Sequence, residues 1–260
     1  MKLYRTLILL FLISCSYLQG PAGEETEYRD GSIPYNLRIT EKEPIDNVYY
    51  TKENIFNMAW DISVFTNNFE IDTNYDSIPD YTTAFKSYLF SGISEGLYTI
   101  RVRSFYNGKY SEWSAPLRLV VDRLAPNDIT DYGCEEVLPS GSKRIKIYFQ
   151  KTIDNGLAGL NVAWIRIKTI DVYSTTHQAD AFIKLHPFTG SIYNNIYLIN
   201  DPSSSGVGKV FSSPVSIYEN SSYLYLEGVV NITGNYNVDI IIADRADNTI
   251  LKFTSCNISN

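Results

Sequence analysis

Two stretches of this chain repeat one pattern. Gly96-Leu97-Tyr98-Thr99-Ile100-Arg101-Val102 and Gly234-Asn235-Tyr236-Asn237-Val238-Asp239-Ile240 each run glycine, then tyrosine, then an aliphatic residue at every second position. A period of two sets the tyrosine and both aliphatics on one face of an extended strand. Each copy therefore predicts a strand with one buried side. Other strands are predicted at 143–150, 162–170, 181–185, 192–199 and 223–230. The chain holds 21 tyrosines in 260 residues, and with its frequent Val, Ile and Thr this composition suits pleated sheets. Helical periodicity is nearly absent. The expected fold class is all-β.

The N-terminus has a different logic. Lys2 and Arg5 precede the apolar run Leu7-Ile8-Leu9-Leu10-Phe11-Leu12-Ile13, and Ser14 precedes Cys15. This is the layout of a secretory signal peptide, too short to remain as a membrane span. Leu12-Ile13-Ser14-Cys15 resembles a bacterial lipobox. That resemblance implies cleavage before Cys15 and lipidation of Cys15 by a diacylglycerol and an N-acyl chain, with residues 1–14 removed. Leu12 stands where an ordinary cleavage site needs a small residue, and Pro21 spoils the alternative site at 20–23. Ser16 favours the outer membrane or cell surface, because an aspartate there is the inner-membrane retention signal in some Gram-negative bacteria. Two or three acyl chains, at about 0.8 kcal/mol per buried CH2, hold a soluble domain at a membrane surface. Residues 15–32, rich in Gly, Glu and Asp, read as a lipidated tether.

Without residues 1–14 the formal net charge moves from −7 to −9, with 20 basic against 29 acidic side chains. An acidic chain with no basic run is a poor partner for nucleic acid. The remaining cysteines, Cys134 and Cys256, make an even pair in an exported chain, and one disulfide is expected.

Ile93-Ser94-Glu95-Gly96-Leu97-Tyr98-Thr99-Ile100-Arg101-Val102-Arg103 resembles the E–F region of a fibronectin type III domain, and Trp60 matches the strand-B tryptophan of that family. Asn107-Gly108 supplies a hairpin turn, and Ser111-Glu112-Trp113-Ser114-Ala115-Pro116 resembles the entry to the last strand. The resemblance covers 33–122. Within it, 65–85 departs from the usual strand-C pattern. The second tyrosine motif, followed by Asp244 and Asn248, resembles the end of a bacterial Ig-like domain, here 127–260. In such sandwiches a tyrosine at the start of strand F bonds back to backbone across the E–F corner. Residues 122–127 read as the linker between two tandem β-sandwiches.

Candidate chemistry is sparse. Asp72-Thr73-Asn74-Tyr75-Asp76 has calcium-loop spacing, but Ser77 and Thr83 replace the required glycine and glutamate, so a polar loop is the better reading. His177 and His186 lack partners at zinc spacing. Residues 203–209 contain glycine and lysine without P-loop spacing. No nucleophile is paired with a base, and no metal or cofactor is expected. Arg101 and Arg103 point away from the core on the Tyr98 strand, within reach of Trp113. The resemblance to receptor domains carrying W-S-x-W-S implies a cation–π stack there. The candidate binding residues are Arg101, Arg103, Trp113 and Trp164, and the 65–85 and 201–208 segments are candidate binding loops. The expected function is a non-catalytic, membrane-anchored binding or envelope-assembly protein with a protein or glycan ligand. The alternative is a carbohydrate-binding or accessory module of a polysaccharide-processing system, which would need exposed aromatics for sugar rings.

Overall fold

The computed structural model describes residues 32–63, 66, 68–137, 142–170, 173–200 (backbone alone for 194–200), 210–212 and 215–259. The lipobox with Cys15, all of the tether but Ser32, the loop at 201–208 and the overlapping glycine–lysine stretch at 203–209 lie outside the described residues. Every regular element among the described residues is a strand, as expected.

The first core lies between two sheets. One has the order β1 (Tyr35–Ile39), β3 (Ile55–Asp61), β6 (Ser87–Ser91). The other runs β2 (Val48–Thr51), β9 (Leu117–Val121), β7 (Gly96–Tyr106), β4 (Asn68–Asp72), β5 (Tyr81–Thr83), with β8 (Lys109–Tyr110) paired to β7. All pairings in the two are antiparallel except β2 with β9. Alternation aims Phe56, Met58 and Trp60 of β3 at Ile100 and Val102 of β7. Trp60 meets the edge of Phe69 at 5.1 Å. The 65–85 stretch, where the fibronectin pattern failed, forms β4 and β5 around a tight loop.

The second core also lies between two sheets. One has the order β10 (Tyr132–Glu136), β11 (Arg144–Gln150), β16 (Tyr223–Val229), β15 (Ser216–Glu219). The other runs β14 (Ile192–Asn200), β13 (Thr176–Leu185), β12 (Leu160–Ile170), β17 (Gly234–Asp244), β18 (Thr249–Ile258). Ile145, Ile147 and Phe149 face Ile165, Ile167, Ile240 and Ile242 across the sandwich. A disulfide joins Cys134 on β10 to Cys256 on β18, 122 residues apart. First and last strands thus stand at the same edge in opposite sheets. Closing a loop of that length contributes about 4 to 5 kcal/mol by the chain-entropy argument.

Both tyrosine corners form. Tyr98 Oη donates to Ser94 O at 2.9 Å, and Tyr236 Oη donates to Ile232 O. Each bond reaches back four residues to the turn that feeds its strand. The two sites differ in cover: Tyr236 is fully buried and Tyr98 only partly. Burial accordingly pushes the Tyr236 phenol far above its ordinary range. Replacing either by phenylalanine strands a carbonyl at the corner and should cost roughly 1–2 kcal/mol. Tyr236→Phe is expected to lose more than Tyr98→Phe. Chemical denaturation of the two variants measures both losses, and equal, negligible effects would remove the corners from the account of stability.

Candidate functional site

The sequence-predicted residues Arg101, Arg103 and Trp113 come together on the outer side of β7. The Arg103 guanidinium carbon lies 4.5 Å from the Trp113 ring and 4.1 Å from the Tyr110 ring. That of Arg101 lies 5.0 Å from Trp113 and 3.8 Å from Tyr75. The result is a ladder: Tyr75, Arg101, Trp113, Arg103, Tyr110. Tyr75 and Tyr110 escaped the sequence reading. For Tyr110 a signal existed, because Tyr110-Ser111-Glu112-Trp113-Ser114 keeps the W-S-x-W-S spacing with tyrosine in the first place. The two serines hold the segment along β7. Ser104 N–H donates to Ser111 Oγ and Val102 N–H to Ser114 Oγ, both at 3.0 Å.

Cross-strand carboxylates complete the ladder. Register places Glu70 opposite Arg103 and Asp72 opposite Arg101, and ion pairs join both couples. Arg101 takes the outer side that its strand alternation predicts but is buried there under its neighbours, and Asp72 has no exposed surface. Asp72 also accepts N–H bonds from Asn74, Tyr75 and Ser77 at 3.1, 2.8 and 2.9 Å. Burial alone would raise its carboxyl, but the Arg101 bond and these N–H groups win and hold it below the usual range. The loop with calcium-like spacing thus wraps its first aspartate around a guanidinium. Trp164 lies apart, on β12. Phe182 stacks on it at 5.4 Å, the Arg166 guanidinium carbon sits 4.0 Å from its ring, and its indole N–H donates to Asp180. Of the histidines, His177 is buried on β13, and His186 lies between the rings of Phe188 and Tyr193.

A cluster that the sequence did not reveal lies where the two cores meet. Asp122, Asp154 and Asp244 present carboxylate oxygens within 4.8 Å of one another, close enough to share one proton or one cation. Asp122 and Asp244 have no exposed surface. N–H groups meet the oxygens: Leu124 and Ala158 on Asp122, Gly156 and Gly159 on Asp154, and the backbone and side-chain amides of Asn248 on Asp244. Only glycine fits at 156, since a Cβ there would lie 2.3 Å from the Asp122 carboxylate. Burial pushes Asp244 up to about 6 against the pull of Asn248, with the charges of Asp154 and Asp122 adding to the rise. Asp154 is raised by burial first and by Asp122 second. The sequence could not find this trio because its members come from three distant segments.

The same junction is bonded on several sides. Asp122 N–H donates to Thr51 O at 2.9 Å, and Asn248 Nδ2 donates to Asp122 O at 3.0 Å. Lys52 Nζ donates to Asp247 O at 2.7 Å, Lys42 pairs with Asp247 at 2.9 Å, and Arg245 donates to Tyr50 Oη at 3.0 Å. Tyr50, Val120, Ala158 and Ala246 form a small apolar cluster beneath these bonds.

No known protein-family pattern matches this chain. No curated protein sequence matches it either. Among solved structures, the fibronectin(III)-like modules of Clostridium thermocellum CbhA resemble it with a TM-score of 0.47 and 11% identity, over 86% of this chain and 94% of that one. The human OSCAR ligand-binding domain resembles it with a TM-score of 0.31 and 9% identity, over 87% and 98%. At these scores the likeness adds nothing to the architecture, which the strand order and the two corners carry by themselves.

Two outcomes follow from the buried charges. Arg101→Met leaves the Asp72 carboxylate buried without its cation and should cost about 3–5 kcal/mol in chemical denaturation. Adding Asp72→Asn should recover much of that loss, because no charge is then stranded. The second outcome concerns pH. Asp244 keeps its proton in the folded chain up to about 6, whereas an unfolded aspartate loses it near 4. Its contribution is therefore full below about pH 4 and is lost as pH rises through 6, amounting to roughly 3 kcal/mol. Melting of the second sandwich should occur at lower temperature at pH 7.5 than at pH 5, and Asp244→Asn should flatten that difference.

Proposed function

We propose that this chain is a lipid-anchored envelope protein whose two sandwiches, 33–122 and 127–260, act as a non-catalytic binding or assembly module. The observation that carries the reading is the bonded joint around Asp122. Along β7, Gly96 pairs with Val121 next to that joint, while Ser104, eight residues on, binds Ser32 O. The chain therefore enters the first sandwich at the end away from the joint. In the second sandwich β12 starts beside the joint at Leu160, and Ile170 pairs with Thr176 at the far end. A tether at Cys15 would hold one end of the pair near lipid, and the joint would transmit that orientation to the second sandwich. A spacer with outward sheet faces and end loops suits binding, since loops on a rigid scaffold are common recognition surfaces.

The anchor is tested by labelling. Radiolabelled palmitate should enter the full-length chain expressed in a Gram-negative host and be lost in Cys15→Ala. The same substitution should move the protein from the membrane pellet to the soluble fraction. Label retained by Cys15→Ala would place the lipid elsewhere and defeat the lipobox reading.

A further inference from the structure

The outer face of the β10-β11-β16-β15 sheet carries four tyrosines on three adjacent strands. Tyr148 on β11 stands opposite Tyr225 on β16, which stands opposite Tyr218 on β15, and Tyr223 lies two residues before Tyr225. Next to Tyr148, register places Gly133 of β10. A Cβ at 133 would lie 2.6 Å from Tyr148 Oη and 2.7 Å from its ring carbon. The Tyr148 ring thus lies across a bare glycine, along the sheet. Tyr223 meets it edge-on at 6.1 Å, and Tyr218 stacks on Tyr225 at 4.9 Å with 17° between the planes. The last pair stands as a wall beside the Tyr148 floor. Each ring but that of Tyr148 is tied down through its hydroxyl. Tyr223 donates to Asp131, Tyr218 donates to Glu227 at 2.9 Å, and Tyr225 accepts from Asn220 Nδ2 at 2.9 Å.

We infer that this tyrosine face is a binding surface for a neutral oligosaccharide, with Tyr148 and the Tyr218–Tyr225 pair as the stacking groups. The inference rests on the binding-module reading above and names its ligand class. Three features select that class. Rings held in place before binding offer flat apolar area at low entropic cost, which suits the apolar faces of pyranose rings. The cations on the face are already paired: Lys146, which also lies 5.5 Å over the Tyr225 ring, with Glu135 at 2.6 Å, and Arg144 with Glu227 at 2.9 Å. With those cations paired and the Asp131 carboxylate bonded to the Tyr223 hydroxyl, nothing in these contacts attracts an acidic ligand. The positions beside the tyrosines, namely Gln150, Lys146, Glu227 and Asn220, are polar, so an apolar protein surface would desolvate them without return, whereas sugar hydroxyls would bond to them. From Tyr148 to Tyr218 the face crosses two strand spacings, about 10 Å, room for about two sugar rings. The tryptophans do not offer this surface. Trp113 is held between arginines, and Trp164 is covered by Phe182 and Arg166.

The test uses the full-length lipidated chain in detergent micelles. Binding is followed by isothermal titration with neutral gluco-, xylo-, manno- and galacto-configured hexasaccharides, and with sulfated and sialylated counterparts. The expected result is saturable binding of at least one neutral hexasaccharide, little changed by salt. Tyr148→Ala and Tyr225→Ala should each weaken it by about tenfold or more, the scale of a lost aromatic contact with its buried area. Gly133→Ala, which lifts the ring while keeping the tyrosine, should weaken it comparably, and Trp113→Phe should not. The melting temperature of each variant is measured alongside, and Tyr148→Phe, which keeps the ring, separates loss of stacking from loss of fold by retaining most of the affinity. Failure of every neutral sugar to bind, preference for the charged sugars, or binding that survives Tyr148→Ala in a folded protein overturns the inference. Palmitate labelling is read on the same preparation. Its loss would defeat the anchored reading and leave the glycan result standing, and its presence without sugar binding defeats only the glycan surface.

Discussion

Asp122 is bonded through every polar group it has. Its N–H goes to Thr51, its carbonyl receives the Asn248 amide, and its carboxylate accepts from Leu124 and Ala158. Thr51 belongs to one sandwich and Asn248 and Ala158 to the other, so one residue spans both. A buried carboxylate costs stability unless donors surround it, and those donors must stay in place. That requirement turns a short connection into a joint. The acids beside it, Asp154 and Asp244, add a second constraint. Three carboxylates this close cannot all ionise cheaply, so the proton count at the junction responds to pH, and the stability of the second sandwich follows.

The outer faces of the sheets solve a different problem. A sandwich hides one face of each sheet and must make the other compatible with water. The first sandwich covers its β7 face with arginines stacked between aromatics, their charges matched by Glu70 and Asp72 across the strand. The second covers its five-stranded sheet similarly at Trp164, Phe182 and Arg166. In both places the aromatic ring is already occupied by a guanidinium. On the tyrosine face, hydroxyl bonds and the bare glycine beside Tyr148 hold the rings instead, and the cation over Tyr225 is the Lys146 ammonium at 5.5 Å. An aromatic residue on a sheet surface is therefore no guide to binding until its ring faces are accounted for.

Much of the architecture was legible in the chain. The central strands β7, β11, β12, β16 and β17 followed from alternation, because a strand paired on both sides with one face in the core must keep strict period two. The strands that the sequence did not reveal, β1, β2, β5, β6, β10 and β15, are all at sheet edges. Edge strands are short and half-paired, and Tyr35-Asn36-Leu37-Arg38-Ile39 shows how weak the pattern becomes there. β4 was missed for a related reason: Asn68-Phe69-Glu70-Ile71-Asp72 ends in a buried aspartate, which only the Arg101 opposite makes tolerable.

What the sequence determined by itself was local. It set the all-β class, the paired tyrosine corners, the pairing of the two cysteines left after Cys15, and the closeness of Arg101 and Arg103 to Trp113 across a hairpin. All of these depend on spacing within one or two neighbouring strands, or on simple parity. What the tertiary structure decided was every arrangement that joins distant segments. Asp122, Asp154 and Asp244 meet only because the two sandwiches dock. Tyr148, Tyr223, Tyr225 and Gly133 share a face only because β10, β11 and β16 pair in one register. Periodicity tells which side of its own strand a residue takes. Strand pairing and docking, which are set by the burial of whole cores, decide what that residue finds beside it.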